Sequence, residues 1–195
     1  MLIYDIEIRN AIPDRDGSRV PDVQYCNGWE DFPGMGVAVV GCYDYQAERV
    51  RVFCADNIPA FLALLAEQEC IVGFNNQRFD DRIVEALGYR IPAGKSYDIY
   101  QEVRHGLGLA PHERRGGYTL GDLCRANFRA PKSASGALAP VQWQRGEIGT
   151  VIDYCLHDLH LTKKLLDRII RAGRLIDPNN PDRTIPIRKP GSFTV

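Results

Sequence analysis

The sequence lacks long uninterrupted runs of apolar residues and is poor in tryptophan, methionine and histidine. No stretch approaches the roughly 18 apolar residues of a membrane-spanning helix, so we expect no membrane partner. The first residues show neither the basic start nor the apolar core of a secretion signal, and we therefore expect a cytoplasmic protein. Apolar residues make up 45% and charged residues 25% of the 195 residues, which is typical of a folded globular chain.

The cysteines have no spacing typical of a zinc site or of a redox motif. They are Cys26, Cys42, Cys54, Cys70, Cys124 and Cys155. No two of them form a C-x-x-C pair, and none combines with the four histidines in a zinc-binding pattern. Because Cys42, Cys54 and Cys155 lie within apolar runs, we interpret them as small core residues of a reduced protein.

Charge is nearly balanced over the whole chain but is distributed unevenly along it. The formal net charge is −1, yet residues 1–80 are strongly acidic and residues 81–195 are basic. The basic excess is concentrated in residues 104–145. A protein that holds cations and also faces a polyanion needs such a distribution. An unevenly charged solvated surface explains it as well, and composition does not decide between the two.

The pattern of apolar residues predicts an α/β domain in which strands come first and then alternate with helices. Predicted strands cover residues 1–8, 37–43, 50–54 and 70–74, and predicted helices cover residues 58–68, 80–87, 96–106, 119–128 and 149–170. Residues 10–34 form a long irregular excursion, and residues 130–140 form a loop of small residues. We expect one domain with a mixed sheet over residues 1–172, followed by a proline-rich tail or hairpin over residues 173–195.

Two carboxylates lie close together in the first predicted strand. Asp5 and Glu7 are separated by one residue, so both side chains point to the same face of the strand. Like charges at this spacing repel each other unless a cation lies between them. A strand end that faces water would also explain the pair, but the apolar residues around it favour a buried strand.

Two further segments contain candidate catalytic residues. Tyr154 and Asp158 are four residues apart on the predicted helix over residues 149–170, so they lie on one face, one turn apart. Asp80 follows a buried strand and a short loop, where an N-cap of the next helix is an equal explanation. Its neighbour Asp81 competes with it for either role. A surface aspartate and a packing tyrosine likewise remain an alternative for the helix pair.

In this order, the three segments resemble the three motifs of the DEDD superfamily of exonucleases, especially the proofreading domains of family B DNA polymerases and their stand-alone relatives. The first motif of that family, Asp-x-Glu, is matched by Asp5 and Glu7. The second, Gly-aromatic-Asn-x-x-x-Phe-Asp, is matched by residues 73–80. The third, Tyr-x-x-x-Asp, is matched by Tyr154 and Asp158, and its tyrosine is typical of the tyrosine branch.

The resemblance implies a ribonuclease H-like fold, with a mixed central sheet whose first strands are antiparallel and whose faces are flanked by helices. It implies a 3′–5′ exonuclease that acts on the 3′ end of single-stranded nucleic acid, with DNA favoured. Two Mg²⁺ or Mn²⁺ ions, which prefer oxygen ligands, would be the cofactors. Their ligands would be Asp5, Glu7, Asp80 and Asp158, and Tyr154 would orient the attacking water.

Substrate contacts also follow from the resemblance. Asn75 and Phe79 would hold the terminal nucleotide, the latter by stacking. Candidate phosphate contacts on the basic segment are Arg114, Arg115, Arg129 and Lys132, for which plain surface cations are an equal explanation. A polymerase or a helicase is a candidate partner. Two alternatives remain open, namely a 3′–5′ exoribonuclease of the same fold and a non-catalytic nucleic-acid-binding module.

Overall fold

The structure is a computed structural model that describes residues 1–110, 113, 115–129 and 136–191. The strands are β1 (Leu2–Ile8), β2 (Val37–Asp44), β3 (Arg49–Cys54), β4 (Ile71–Gly73), β5 (Ser96–Asp98), β6 (Arg174–Asp177) and β7 (Asn180–Pro186). The helices are α1 (Phe32–Met35), α2 (Ile58–Ala66), α3 (Asp80–Ala86), α4 (Ile99–Gly106), α5 (Leu120–Phe128), α6 (Ala139–Gln144) and α7 (Ile148–Ala172). Within these residues, no helix combines the length and the apolar character that crossing a bilayer requires.

Five strands form a mixed central sheet in the order β3-β2-β1-β4-β5. The pairs β1–β2 and β2–β3 are antiparallel, whereas β4 pairs parallel with β1 and β5 pairs parallel with β4. Helices cover both faces of the sheet. The predicted fold class is therefore confirmed, and the arrangement is compatible with a ribonuclease H-like fold.

The two faces of β1 look toward different helices. Leu2, Tyr4 and Ile6 are buried in a cluster with side chains from α2 and α3. Ile3, which points to the opposite face, is buried with side chains from α4, α5 and α7. Because side chains alternate along a strand, Asp5 and Glu7 share the face of Ile3 and are directed toward the α7 side.

Two predicted segments differ from the structure. Residues 96–106 contain the predicted helix as α4, but they begin with strand β5, which was not predicted, and Asp98 at the end of this strand caps α4 by accepting from the N–H groups of Tyr100 and Gln101. A strand of three residues is too short for alternation to be visible in the sequence. Part of the predicted loop over residues 130–140 belongs to α6, which tolerates Pro140 because that residue lies in the first turn.

The last two strands form an antiparallel hairpin next to α5 and α7. Leu175 and Ile185 are fully buried, and Ile187 is nearly so, within the same cluster as the apolar face of α7. The hairpin therefore closes one end of the hydrophobic core. The division of the chain into residues 1–172 and 173–195 stays a prediction.

The six cysteines all lie in the described part of the chain, and none of them forms a disulfide. Five are buried, and Cys54 is partly exposed. Cys42 and Cys155 are fully buried among apolar side chains, as expected for small core residues.

Candidate active site

Helix α7 packs closely on β1 and β2 at the position of a glycine in β2. Asp5 pairs with Gly41 of β2, and a Cβ atom at Gly41 would lie 3.0 Å from the Sγ atom of Cys155. The Cys155 thiol itself donates to the main-chain oxygen of Asp5 at 3.5 Å. One ligating atom each from Asp5, Glu7 and Cys155 lies within 4.8 Å of the others. The close approach therefore places the first motif against α7.

The third motif reaches the same place from α7. Burial and then the nearby Asp158 carboxylate raise the pKa of Asp5 to about 7. Burial, together with Asp5, Asp158 and Asp80, raises the pKa of Glu7 to about 10. Burial raises the pKa of the Tyr154 phenol, and the nearby carboxylates, Asp158 first, raise it further. The structure thus brings together the side chains from residues 5–7 and 154–158.

The second motif contributes Asp80, the first residue of α3. The N-cap position of this helix is occupied by Phe79, so Asp80 is not the cap. Its Oδ1 atom accepts from the Ile6 N–H of β1 at 3.0 Å. Strand β4 pairs only with the first residues of β1. The Asp80 carboxylate therefore accepts the Ile6 N–H at a point where β4 no longer supplies an acceptor. Asp80 therefore lies at the carboxyl end of β1, where its interaction with Asp5 helps to raise its pKa, although burial is the larger cause.

The neighbouring Asp81 has different partners. It accepts hydrogen bonds from the Tyr4 hydroxyl, from Asn76 Nδ2 at 3.0 Å and from Ser96 Oγ at 2.6 Å. These three donors come from β1, from the loop after β4 and from β5. Asp81 therefore joins structural elements, whereas Asp80 faces the other carboxylates.

The charge of the four clustered carboxylates is poorly balanced in the described part of the chain, where the nearby His157 lowers only the pKa of Asp158. Among the described residues, no lysine or arginine forms an ion pair with Asp5, Glu7, Asp80 or Asp158. Burial raises the pKa of all four, although interaction with the Tyr154 hydroxyl partly offsets this effect for Asp158. Two carboxylate oxygens, Asp5 Oδ2 and Asp158 Oδ1, are buried without any hydrogen-bond partner in the described part of the chain. Such atoms are costly unless a cation or a donor satisfies them.

These residues fit a divalent cation with oxygen ligands. Clustered carboxylates with buried oxygens that lack a donor are the environment that Mg²⁺ or Mn²⁺ occupies. The Cys155 thiol is the one nearby soft ligand, but burial raises its pKa well above the ordinary value, and it already donates to Asp5. The donor set therefore favours a hard cation over zinc.

Two of the predicted substrate residues, Asn75 and Phe79, lie in the segment that leads into Asp80. Asn75 has a left-handed backbone conformation with a φ of 63°, and its N–H donates to Asp98 Oδ1 at 2.9 Å. Its side-chain amide makes no hydrogen bond within the described part of the chain. The half-buried Phe79 ring contacts the rings of Trp29 and Phe32, each with centroids 6.5 Å away. The sequence analysis did not identify Trp29, since a single aromatic residue in an irregular loop has no periodic signal.

The predicted phosphate contacts are only partly covered by the structure. Lys132 and Arg114 lie outside the described residues. Arg115 and Arg129 are exposed, and neither forms an ion pair with a described residue. His157 and His160 are exposed on α7.

Comparison with known proteins gives a match in structure. No family model matches the chain, and no curated protein matches its sequence. The solved structures that match include the family B DNA polymerase from the hyperthermophilic archaeon Pyrobaculum calidifontis, with a TM-score of 0.56 and 19% sequence identity. The match covers 87% of this chain and 24% of the polymerase chain, so the protein spans about a quarter of its length. At this identity, the likeness shows the fold.

Proposed function

We propose that the protein is a metal-dependent 3′–5′ exonuclease of the tyrosine branch of the DEDD superfamily. Its substrate would be the 3′ end of single-stranded nucleic acid, most favourably DNA. One observation carries the proposal: four carboxylates from three distant segments converge in a largely buried place that contains unsatisfied oxygens and, among the described residues, no lysine or arginine partner. Such an arrangement is unfavourable for a purely structural role, because each buried carboxylate raises the cost of ionising the others.

The carboxylates would bind two Mg²⁺ or Mn²⁺ ions, with Asp5, Glu7, Asp80 and Asp158 as ligands. When bound, such ions activate a water molecule and stabilise the attacking and leaving oxygens of phosphodiester hydrolysis. The chain contributes a fixed frame for them. Asp80 is held by the Ile6 N–H, and the position of Asp158 is set by the close packing of α7 against Gly41.

Tyr154 would orient the attacking water. Its raised phenol pKa keeps the hydroxyl protonated at neutral pH, so it can hydrogen-bond to a water but is a poor general base. Asn75, whose amide has no partner within the described residues, would hydrogen-bond to the terminal nucleotide. Phe79 would pack against that nucleotide beside Asp80.

The expected substrate preference follows from the same residues. None of these groups is arranged to distinguish one base from another, so we expect little sequence specificity. The polymerase likeness makes a polymerase a candidate partner, and a helicase is a second candidate.

The test uses oligodeoxynucleotides and oligoribonucleotides of one sequence, labelled at the 5′ end, with Mg²⁺, Mn²⁺ or EDTA. We expect a metal-dependent ladder that shortens from the 3′ end and releases nucleoside monophosphates. Asp5→Asn and Asp158→Asn should lose at least about 10²-fold in turnover, because each removes a charged metal ligand of nearly the same shape. Asp153→Asn is the matched control, since Asp153 is exposed on the same helix.

Other outcomes would contradict the proposal. Binding of the oligonucleotide without cleavage would indicate a non-catalytic module, and cleavage within the strand would indicate an endonuclease. Faster digestion of the RNA would instead support the exoribonuclease alternative.

A further inference from the structure

The largest exposed apolar side chain in the described part of the chain is a tryptophan beside the candidate active site. Trp29 is 63% exposed, whereas the other large exposed apolar residues are aliphatic. It lies on the excursion between β1 and β2. Leaving so large an apolar surface in water is unfavourable, because burying apolar surface lowers the free energy by about 25 cal/mol per Å². Exposure of a single side chain is ordinary in a folded protein, so a role for Trp29 depends on its surroundings.

The conformation of the loop around Trp29 is well defined by hydrogen bonds. The Asp31 carboxylate accepts from the Asn27 N–H at 2.8 Å, from Asn27 Nδ2 at 2.9 Å and from the Gly34 N–H at 3.1 Å. The Asn10 side chain donates to the Gly34 carbonyl at 2.7 Å. Trp29 lies between the two bonded residues Asn27 and Asp31. Its exposure is thus a property of an ordered turn.

The excursion is also attached on its other side to α6. Gln144 Nε2 donates to the carbonyl oxygens of Arg9 at 2.9 Å and Gln24 at 3.0 Å, and the Gln24 N–H donates to Gln144 Oε1 at 2.6 Å. Hydrogen bonds thus attach the excursion near Arg9 and Gln24 to α6 and near Gly34 to Asn10. These attachments fix the position of Trp29 relative to the sheet.

The position of Trp29 connects it to the carboxylate cluster. Its ring meets the Phe79 ring at an interplanar angle of 60°. Phe79 directly precedes Asp80, whose carboxylate reaches β1 at Ile6. Trp29 is thus one side chain farther from the cluster than Phe79, and it is the more exposed of the two rings. A strand whose terminal nucleotide lies on Phe79 would present its preceding base to Trp29.

Three exposed arginines lie on the segments that flank the two rings. Arg78 comes directly before Phe79, and its side chain has no hydrogen bond or ion pair to a described residue. The guanidinium of Arg9, two residues after Glu7, lies 3.4 Å from a Cβ atom placed at Gly36, and it too forms no ion pair there. The Arg82 guanidinium lies 5.5 Å from the centre of the Phe32 ring. Aromatic faces flanked by cations match a single strand, in which bases stack and phosphates are neutralised.

We infer that Trp29 is a base-stacking residue for the single-stranded substrate, where it receives the base that precedes the 3′-terminal nucleotide. The inference rests on the proposed exonuclease function and adds a substrate requirement to it. A substrate with at least two nucleotides gains this contact, whereas a mononucleotide ester does not. Trp29 would therefore contribute to the binding of a strand and leave the chemistry at the terminal phosphodiester unchanged.

The test compares wild type, Trp29→Phe and Trp29→Ala on two substrates. For a single-stranded oligonucleotide, Trp29→Ala should raise KM about tenfold with little change in kcat, the effect expected from the loss of one stacked base. Trp29→Phe should retain most of the wild-type affinity. For the p-nitrophenyl ester of thymidine 5′-monophosphate, all three proteins should have the same kinetic constants. Melting temperatures check that the exposed position tolerates the changes.

A binding measurement separates this inference from the proposed function. The chain has two tryptophans, so Trp143→Phe leaves Trp29 as the only indole emitter. Titration with an oligonucleotide in EDTA should quench its fluorescence. Quenching by a strand that is never cleaved would support the stacking role and contradict the exonuclease. Normal cleavage with an unchanged KM for the oligonucleotide in Trp29→Ala would contradict the stacking role. An equal rise in KM for the mononucleotide ester would also contradict it. Neither result would contradict the exonuclease activity.

Discussion

At the residue scale, two effects act in opposite directions on the protonation of the clustered carboxylates. Burial and mutual repulsion favour the protonated acids, and the pKa of Asp5 and Glu7 rises to about 7 and about 10. A bound divalent cation favours the carboxylates. Without metal, the site should therefore hold protons at neutral pH and release them when a cation binds.

A pH dependence of stability follows for Asp5. Between its ordinary pKa near 3.8 and the folded value of about 7, the folded protein holds a proton that the unfolded chain has lost. Stability in EDTA should therefore decrease as the pH rises through this window, by up to about 1.4 kcal/mol per pH unit from this group. Asp5→Asn has no such proton, so its stability advantage over wild type should grow from pH 4 to pH 7 in urea denaturation. A constant difference between the two proteins would contradict the burial of this carboxyl.

Asp80 and Asp81 should differ sharply although they are adjacent. Asp80→Asn removes a charge from the cluster, so turnover should fall at least about 10²-fold, while stability is kept or raised. Asp81→Ala removes the acceptor of the buried Tyr4 hydroxyl and of Ser96 Oγ, and Asn76 Nδ2 keeps only Ser96 Oγ. A buried group left unsatisfied costs about 1–3 kcal/mol. Melting temperature and turnover measured on both variants separate the two roles. A more stable Asp81→Ala would show that its hydrogen bonds contribute little.

The sequence is sufficient to place two candidate residues on one face where their spacing matches the period of the element. Asp5 with Glu7, and Tyr154 with Asp158, share a face of a strand or of a helix, and this needs only the period of the element. Asp80 could not be separated from Asp81, because their roles depend on donors from β1 and β5. Trp29 could not be found because its importance comes from a contact across 50 residues with Phe79.

At the element scale, the site depends on the distance between β1 and α7. Gly41→Ala places a Cβ atom 3.0 Å from Cys155 Sγ, so the helix must shift by a few tenths of an ångström. Such overpacking costs about 1–3 kcal/mol. We expect a lower melting temperature and a larger proportional loss of turnover, because Asp158 moves with the helix.

A second substitution provides the control for this prediction. Cys155→Ala removes the clashing sulfur, so the double variant should recover part of the stability and turnover that Gly41→Ala loses. Losses that simply add in the double variant would show that the contact between these two residues does not set the position of α7.

The elements themselves were predictable to different degrees. The start of helix α5 can be predicted from a few adjacent residues, since Thr119 and Asp122 form the capping box that their spacing predicts. Strand β5 was missed because three residues give no alternation, and their conformation is determined by pairing with β4. Helix α6 was missed because small residues and Pro140 are as frequent in loops as in a first helical turn.

At the scale of the whole molecule, the C-terminal hairpin is part of the core. Leu175, Ile185 and Ile187 are buried with the apolar side of α7, and each such side chain contributes about 1.5–3 kcal/mol. Their sum approaches the total stability of a typical domain. A chain that ends at Ala172 should therefore lose cooperative unfolding in a thermal melt followed by circular dichroism. Independent folding of residues 1–172 would instead support the division suggested by the sequence.

The central claim is that acidic side chains from distant segments meet to bind divalent cations, and anomalous diffraction from crystals grown with Mn²⁺ and a nucleoside monophosphate tests it most directly. We predict two Mn²⁺ peaks at the carboxyl end of β1, in contact with Asp5 Oδ2 and Asp158 Oδ1, the two buried oxygens without a partner. Asp5→Asn crystals should lose at least one peak. Manganese bound only at exposed carboxylates, with Asp5 and Asp158 free of metal at saturating concentration, would contradict the account.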